Sequence, residues 1–390
     1  MEGFDMNTIF SFTGAGKIVF GNGAFEQLAE QIGTLGGSKP LVVLDKNLSA
    51  AGLKEKVSDY FKKAGMTIAI FDKVEGEPPL ELADEGAKMA TAKKCDIVVG
   101  IGGGSTMDVA KAVAVIAANK GAAKDYLGLN SVPGPGLPTI MVPTTAGTGS
   151  EVTFTSVFIR KDLNKKEGMN SPYLYPDIAL LDPELTLSIP SHVTATTGVD
   201  ALCHAIESYT SITASPMSER VSLEAIDLIS SNLRACVHNG ADLEARGQML
   251  LGSLYAGLGL ANAGVTAVHS LSYPLGGMYG IPHGLANTLL LPAVMNFNLP
   301  GALEKFAVIA EVMGVSTEGL SLNEAAGMAV GAVEDLIDDC GIYDTLETMG
   351  IEEDDFPKLA KAAMTVARPL ENNPRKVTEA DAIAIYNDAY

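Results

Sequence analysis

Residues Cys95–Val115 read CDIVVGIGGGSTMDVAKAVAV. An apolar run, Asp96–Ile101, meets three successive glycines at Gly102, Gly103 and Gly104, and an Ala/Val-rich stretch follows. The apolar run reads as a strand and the stretch after Ser105 as a helix. Glycines at the turn let a ligand approach the backbone closely. The helix behind them offers free N–H groups and a positive dipole end, which suits a pyrophosphate. Ser105 and Asp108 have the spacing of a capping box, with Ser105 as the expected N-cap. One glycine suffices for a tight strand-to-helix turn, so three in a row favour phosphate binding over a turn alone. The standard G-x-G-x-x-G fingerprint is absent, and the ligand is not fixed by this stretch alone.

Further strand candidates are Leu41–Leu44, Thr67–Phe71 and Thr139–Val142, separated by amphipathic stretches such as the one beginning at Leu80. That alternation predicts a parallel sheet with helices on both faces. PTTAGTGSEVT, Pro143–Thr153, directly follows the last of these strands. Its hydroxyls and small residues therefore stand at the carboxyl end of a parallel strand, where such sheets bind ligands. Asp45 ends the run PLVVLD. A carboxylate there can accept hydrogen bonds from a ribose diol and would repel a 2′-phosphate, favouring NAD over NADP; an ordinary strand-end turn acid is the alternative. GAGK at Gly14–Lys17 is not a P-loop, because Ser11 fills the first glycine position and Ile18 follows the lysine.

After about Ser188 the strand signal disappears, and the boundary is expected near Pro190. Leu223, Ile226, Ile229 and Leu233 recur at helical spacing, as do Leu303, Phe306, Ile309 and Met313. The chain of 390 residues is thus expected to form two domains, 1–188 and 189–390, the first α/β and the second helical. With 47% apolar and 19% charged residues it should bury a sizeable core. A net charge of −20 argues against nucleic-acid or anionic-membrane partners, whose phosphates would be repelled. The start MEGFDMNTIF lacks the pattern of a signal peptide. The four cysteines form no C-x-x-C pair and read as buried free thiols in a reducing compartment. The expected location is the cytoplasm.

Only five histidines occur, and two of them, His269 and His283, stand fourteen residues apart in VHSLSYPLGGMYGIPHG. A third, His204, follows Asp200 by four residues in TGVDALCHAIESY. Spacing of i, i+4 points both side chains from one helix face. His269 and His283 would complete a set of one oxygen and three nitrogens, with PLGG expected to supply the bend between them. Any one such histidine is commonly a hydrogen-bonded core residue, but the set suits a divalent transition metal better than Ca²⁺ or Mg²⁺. Fe²⁺, Zn²⁺, Co²⁺ and Ni²⁺ all remain open on this ground. A dinucleotide in one half and a Lewis-acidic metal in the other describe alcohol/aldehyde oxidoreduction.

GGGSTMDVAK, PTTAGTGSEVT, TGVDALCHAIE and PLGGMYGIPHG together resemble the iron-containing (group III) alcohol dehydrogenases, over most of the chain. The resemblance implies an N-terminal Rossmann-like α/β domain with a parallel sheet and an all-α C-terminal domain, an architecture shared with dehydroquinate synthase. It implies a metal, usually Fe²⁺ with Zn²⁺ in some relatives, on Asp200, His204, His269 and His283. Contacts to NAD, or NADP, carry over onto Asp45, Gly103, Gly104, Ser105, Thr144 and Thr145, and more loosely onto Lys166. A small alcohol or aldehyde is the implied substrate, and a homodimer or larger homo-oligomer the implied assembly. Two positions depart from the family pattern. Tyr273 stands where many relatives carry a second histidine near the nicotinamide, which makes it a candidate catalytic residue, or else a wall of the substrate pocket. Glu77 stands where relatives often show asparagine near the cofactor. The alternatives are a Zn²⁺-dependent polyol dehydrogenase, a non-oxidative relative of the dehydroquinate synthase kind, and a nucleotide- or metal-binding protein without turnover. The second would need a Lys/Arg cluster for a phosphorylated substrate, and the helical half offers few such residues near the histidines.

Overall fold

A computed structural model describes residues 9–163 and 165–390, so most of the opening stretch MEGFDMNTIF lies outside the described residues. Among those described there are nine strands: β1 (Lys17–Phe20), β2 (Pro40–Asp45), β3 (Ala69–Val74), β4 (Ile97–Gly102), β5 (Gly128–Leu129), β6 (Thr139–Pro143), β7 (Thr155–Arg160), β8 (Lys165–Asn170) and β9 (Ile178–Leu181). Six of them form one sheet in the order β1-β9-β6-β4-β2-β3, parallel throughout. The other three make a small sheet, β5-β8-β7, in which β7 and β8 run antiparallel.

The large sheet is covered on both faces, as unbroken apolar strands require. Val98 and Met141 face one side with Ala83, Ala87 and Ala90 of α3 (Glu81–Lys93) and Met107, Ala110 and Val113 of α4 (Gly104–Ala118). Ile97, Val99, Ile101 and Val142 face the other, with Leu28 and Ile32 of α1 (Leu28–Thr34) and Val57 and Phe61 of α2 (Lys54–Lys63). Each Val, Leu, Ile, Phe or Met among them contributes roughly 1.5–3 kcal/mol on burial. Gly100 lets α4 lie directly on β4, since a Cβ there would meet Ala110 Cβ and Met141 Sδ at 2.8 Å.

Two readings need correction. The strand expected at Thr67–Phe71 begins two residues later and runs to Val74. The capping box does not form: Gly103 is the N-cap of α4, no side chain caps it, and Ser105 lies inside the helix. Asp108 is engaged elsewhere, accepting from Ser150 Oγ at 2.6 Å and Val157 N at 2.8 Å. A carboxylate held by those two donors cannot fold back on the start of its own helix.

The chain divides into two compact units. The α/β unit takes 14–145 and 149–187; the helical unit takes 188–390 with 146–148 and the described residues before Gly14. The helical unit contains α5 (Ser191–Thr210), α6 (Pro216–His238), α7 (Leu243–Ala263), α8 (Ala267–Tyr279), α9 (His283–Asn298), α10 (Leu303–Val312), α11 (Leu322–Asp339), α12 (Phe356–Ala363), α13 (Ala367–Asn372) and α14 (Glu379–Asp388). Ile226, Ile229 and Leu233 of α6, with Phe306 and Ile309 of α10, enter one core that also takes in Val199, Leu202 and Ile206 of α5. Among the described residues no single helix is long and apolar enough to cross a membrane; α7 and α8 pass jointly on composition, but meet at 103° and contribute to this core. All four cysteines are free and buried.

Candidate metal centre and dinucleotide site

Asp200 and His204 stand one turn apart on α5, both buried. His269 lies near the start of α8, and His283 is the first residue of α9. The turn between those helices is not the PLGG segment. Pro274–Gly277 continues α8, and the chain turns at Gly280–Pro282, where Gly280 adopts φ 70° as the left-handed C-cap. A helix accommodates an internal proline when packing holds it, and Pro274 is buried.

One ligand atom from each of Asp200, His204, His269 and His283 lies within 4.8 Å of every other. Nε2 of His204 and of His283 are each 3.9 Å from Asp200 Oδ1. The His204 and His269 rings stack at 4.8 Å, and His283 meets His269 edge-on at 5.2 Å. Metal–ligand bonds of about 2.0–2.2 Å set donors roughly 3.5 Å apart around a tetrahedral ion, so this group is slightly open for one.

Protonation agrees with that fit. Burial pushes the His204 imidazole down, with Asp200 pulling only partly the other way. Burial works against an ionised Asp200, yet His204, His283, His269 and the Asn287 amide hold its carboxyl below the usual value. Neutral imidazoles around a carboxylate are what a divalent cation requires. Nδ1 of His204 meets no hydrogen-bond partner among the described residues in spite of its burial, although the Gly147 backbone lies near enough to favour a proton on the ring.

Two residues escaped the sequence reading. Asn287, one turn after His283 on α9, directs Nδ2 at Asp200 Oδ1 (2.7 Å), His269 Nε2 (3.2 Å) and His283 Nε2 (3.3 Å). Glu207, three residues after His204, accepts from His269 Nδ1. Spacing of one helical turn from a candidate ligand was the available signal for both. Tyr273, one turn after His269, is half-buried, its ring 6.4 Å from His269 and 6.0 Å from His283.

α9 approaches α5 through Gly284. A Cβ at that position would lie 2.7 Å from the Thr196 carbonyl oxygen and 3.5 Å from Asp200 Cβ. Backbone cannot yield as a side-chain tip does, so Gly284→Ala forces the start of α9 outward and carries His283 away from Asp200. The expected result is metal affinity about tenfold weaker, as when supports of a ligand set are disturbed, and a stability loss of about 1–3 kcal/mol. Chelator competition and thermal unfolding read the two effects.

In the α/β unit, the residues expected at a dinucleotide stand at the carboxyl ends of three adjacent strands. Asp45 ends β2, Gly103 and Gly104 follow β4, and Thr144 and Thr145 follow β6. The chain leaves β2 toward β3 on one side and β4 toward β6 on the other, so β2 and β4 flank a topological switch point, the usual nucleotide position in such sheets. Thr144 N donates to the Gly102 carbonyl at 3.0 Å. A Cβ on Gly103 would come within 3.4 Å of Thr145 Oγ1, so the two loops adjoin. Thr144 Oγ1 is buried without a partner among the described residues, and the start of α4, where no side-chain cap forms, carries Ser105 as its second residue.

Asp45 is already occupied in part: Oδ1 accepts from Asn47 N at 2.8 Å and Leu48 N at 2.9 Å, capping a short helical turn. Lys166 lies on β8 in the small sheet, and its largely buried ammonium pairs with Glu77, so the two doubtful cofactor positions contact each other.

Comparison with known proteins bears on these arrangements. Residues 15–183 match the sequence pattern of the iron-containing alcohol dehydrogenases, and residues 194–390 match the C-terminal part of the Fe-containing alcohol dehydrogenase family. The chain is 42% identical to long-chain-alcohol dehydrogenase 1 of Geobacillus thermodenitrificans (strain NG80-2), over 95% of this chain and 94% of that protein. A crystal structure of 1,3-propanediol oxidoreductase is similar to it with TM-score 0.95 and 38% identity, covering 98% of this chain and 100% of the other. Sulfoacetaldehyde reductase from Bifidobacterium kashiwanohense, solved with NAD⁺, is similar with TM-score 0.88 and 29% identity, covering 98% and 99%.

Proposed function

We propose that this chain, which belongs to the iron-containing alcohol dehydrogenase family, holds its metal on Asp200, His204, His269 and His283 and its NAD(H) at the glycine turn. It is an oxidoreductase, an alcohol dehydrogenase or aldehyde reductase. The observation that carries the site assignment is the convergence of three imidazole nitrogens and one carboxylate within 4.8 Å of one another. The donor set supports Fe²⁺, with Zn²⁺ as the alternative occupant.

When bound, the metal supplies a Lewis acid for the substrate oxygen, and the nicotinamide supplies the hydride acceptor or donor. The chain's residues do the rest. Asp200 contributes the one negative charge of the set, and the histidines remain neutral donors. Tyr273 borders His269 and His283 and offers a hydroxyl for the proton that leaves the alcohol or joins the aldehyde oxygen. Gly103, Gly104 and Ser105 present the start of α4 to the pyrophosphate. The unpartnered Thr144 hydroxyl, with Thr145 beside it, gives that anion a donor. Asp45 keeps Oδ2 for a ribose diol and repels a 2′-phosphate, which supports NAD over NADP. Lys166 joins the site only by releasing Glu77.

A short primary alcohol or its aldehyde is the substrate in this reading, and the cytoplasm its place of work, supported by four unpaired buried cysteines. A homo-oligomer is supported by the edge strand β1, whose Ile18 and Phe20 are exposed.

The test follows NADH consumption across a panel of short aldehydes, using Fe²⁺-loaded, Zn²⁺-loaded and chelator-stripped protein, with NADPH in parallel. Turnover should require metal and favour NADH. Absence of turnover in every form would sink the reading. Tyr273→Phe should lower kcat about 100-fold at neutral pH with metal content unchanged, the scale of a lost proton donor; wild-type kcat would remove Tyr273 from proton transfer.

A further inference from the structure

Glu207 is buried in α5, yet nearly all of its contacts belong to α8. Oε1 accepts from Thr266 N at 3.0 Å, Thr266 Oγ1 at 2.8 Å and Val268 N at 2.8 Å. Thr266 is the N-cap position of α8, and no side chain of that segment caps the helix. Glu207 thus satisfies its free N–H groups from a neighbouring helix. Oε2 takes His269 Nδ1, and the Cys203 thiol stands 3.7 Å away on the same oxygen.

A carboxylate can only accept hydrogen bonds, so the Nδ1 that faces it must carry the proton. A neutral imidazole has one proton, and its lone pair is then on Nε2. Nε2 of His269 is the atom turned to Asn287 and the rest of the ligand group. We infer that Glu207 is a positioning residue that fixes the tautomer of His269 and so delivers the Nε2 lone pair to the metal. The inference rests on the metal assignment above. Carboxylates behind ligating histidines serve this purpose elsewhere, and their loss typically weakens metal binding 10- to 100-fold. A purely structural helix cap would instead affect folding and leave the tautomer alone.

The two roles separate by substitution. In Glu207→Gln the amide oxygen can keep the Thr266 and Val268 donors, which turns its NH₂ onto His269 Nδ1. That nitrogen must then accept, and the proton moves to Nε2. In Thr266→Val one capping donor is lost while the carboxylate still faces His269.

The experiment uses full-length protein with ¹⁵N-labelled histidine, freed of metal, with His269 assigned by its own replacement. Nitrogen NMR reads the tautomer, and Co²⁺ and Zn²⁺ titrations against a chelator read affinity. Wild-type protein should show His269 protonated on Nδ1. Glu207→Gln should show Nε2–H and bind both ions 10- to 100-fold more weakly. Thr266→Val should melt earlier but keep the wild-type tautomer and bind the ions within about twofold of wild type, since the carboxylate behind His269 is untouched. Nε2–H on His269 in the wild type overturns the inference without recourse to any variant. So does wild-type metal affinity in Glu207→Gln, or equal metal loss in Thr266→Val. A wild type that binds neither ion refutes the metal assignment itself, and the inference with it; the wild-type tautomer then shows which of the two failed first.

Discussion

His204→Ala should yield protein with no tightly held metal and kcat/KM toward its best aldehyde lowered about 1000-fold. The imidazole is buried on α5 and contributes one of four converging ligand atoms, so no solvent-exposed group can swing in to replace it. A Lewis acid at a substrate oxygen is worth several kcal/mol of transition-state stabilisation, and each 1.36 kcal/mol is tenfold in rate. NADH should still bind within about twofold, because the nucleotide site proposed above lies on the α/β unit. Metal analysis, steady-state kinetics and NADH fluorescence check the three parts. Retained metal together with near-normal turnover would mean that the ion sits elsewhere.

Lys111→Met should cost about 3–5 kcal/mol, the scale for breaking a buried ion pair by removing one partner. Lys111 Nζ, fully buried on α4, donates to Ser150 O (3.1 Å), Thr153 Oγ1 (3.3 Å) and Thr155 O (2.5 Å), and lies 3.2 Å from Asp108 Oδ1. It thereby ties the helix behind the glycine turn to the chain that follows the Thr144 loop. The deficit should depend on pH. Burial raises Glu151 from 4.5 to about 7, with Lys111 pulling the other way, so removing the cation lifts it further. Above pH 4.5 the unfolded chain has released a proton that native Glu151 keeps until about pH 7 or beyond. Stability therefore falls as pH rises through that window. The gap between variant and wild type should be smaller at pH 5 than at pH 8. Denaturant unfolding at the two pH values measures it; a loss below 1 kcal/mol, or a gap that narrows with pH, would contradict this account of the cluster.

The central strands were legible because burial on both faces writes itself as unbroken apolar sequence, as in Ile97–Gly102. β1 was not, since an edge strand of four residues with Ile18 and Phe20 exposed carries no such run. KKEGMN in β8 has no strand-like pattern at all, and its pairing with β7 decides its conformation. Asp108 read as a helix cap because local spacing cannot reveal that Ser150 and Val157, far along the chain, compete for it. Nothing in the local sequence marks Lys111, and only tertiary structure shows that no water reaches it. In the helical half the candidate ligands stood out by residue type and spacing. Glu207 and Asn287 act through those ligands, so no motif of their own marks them, and Pro274 looked like a helix end because sequence does not show the packing that holds it inside α8.

The turn Gly280–Pro282 also restricts how this lineage can drift. His283 opens α9 immediately after it, so a residue gained or lost there changes the short span that sets His283 against His269. Length changes between positions 269 and 283 would aim one imidazole away from the other three ligands, whereas a point replacement at 273 leaves all four in register. Substitution inside α8 therefore keeps the spacing of His269 and His283, while insertion or deletion between them does not.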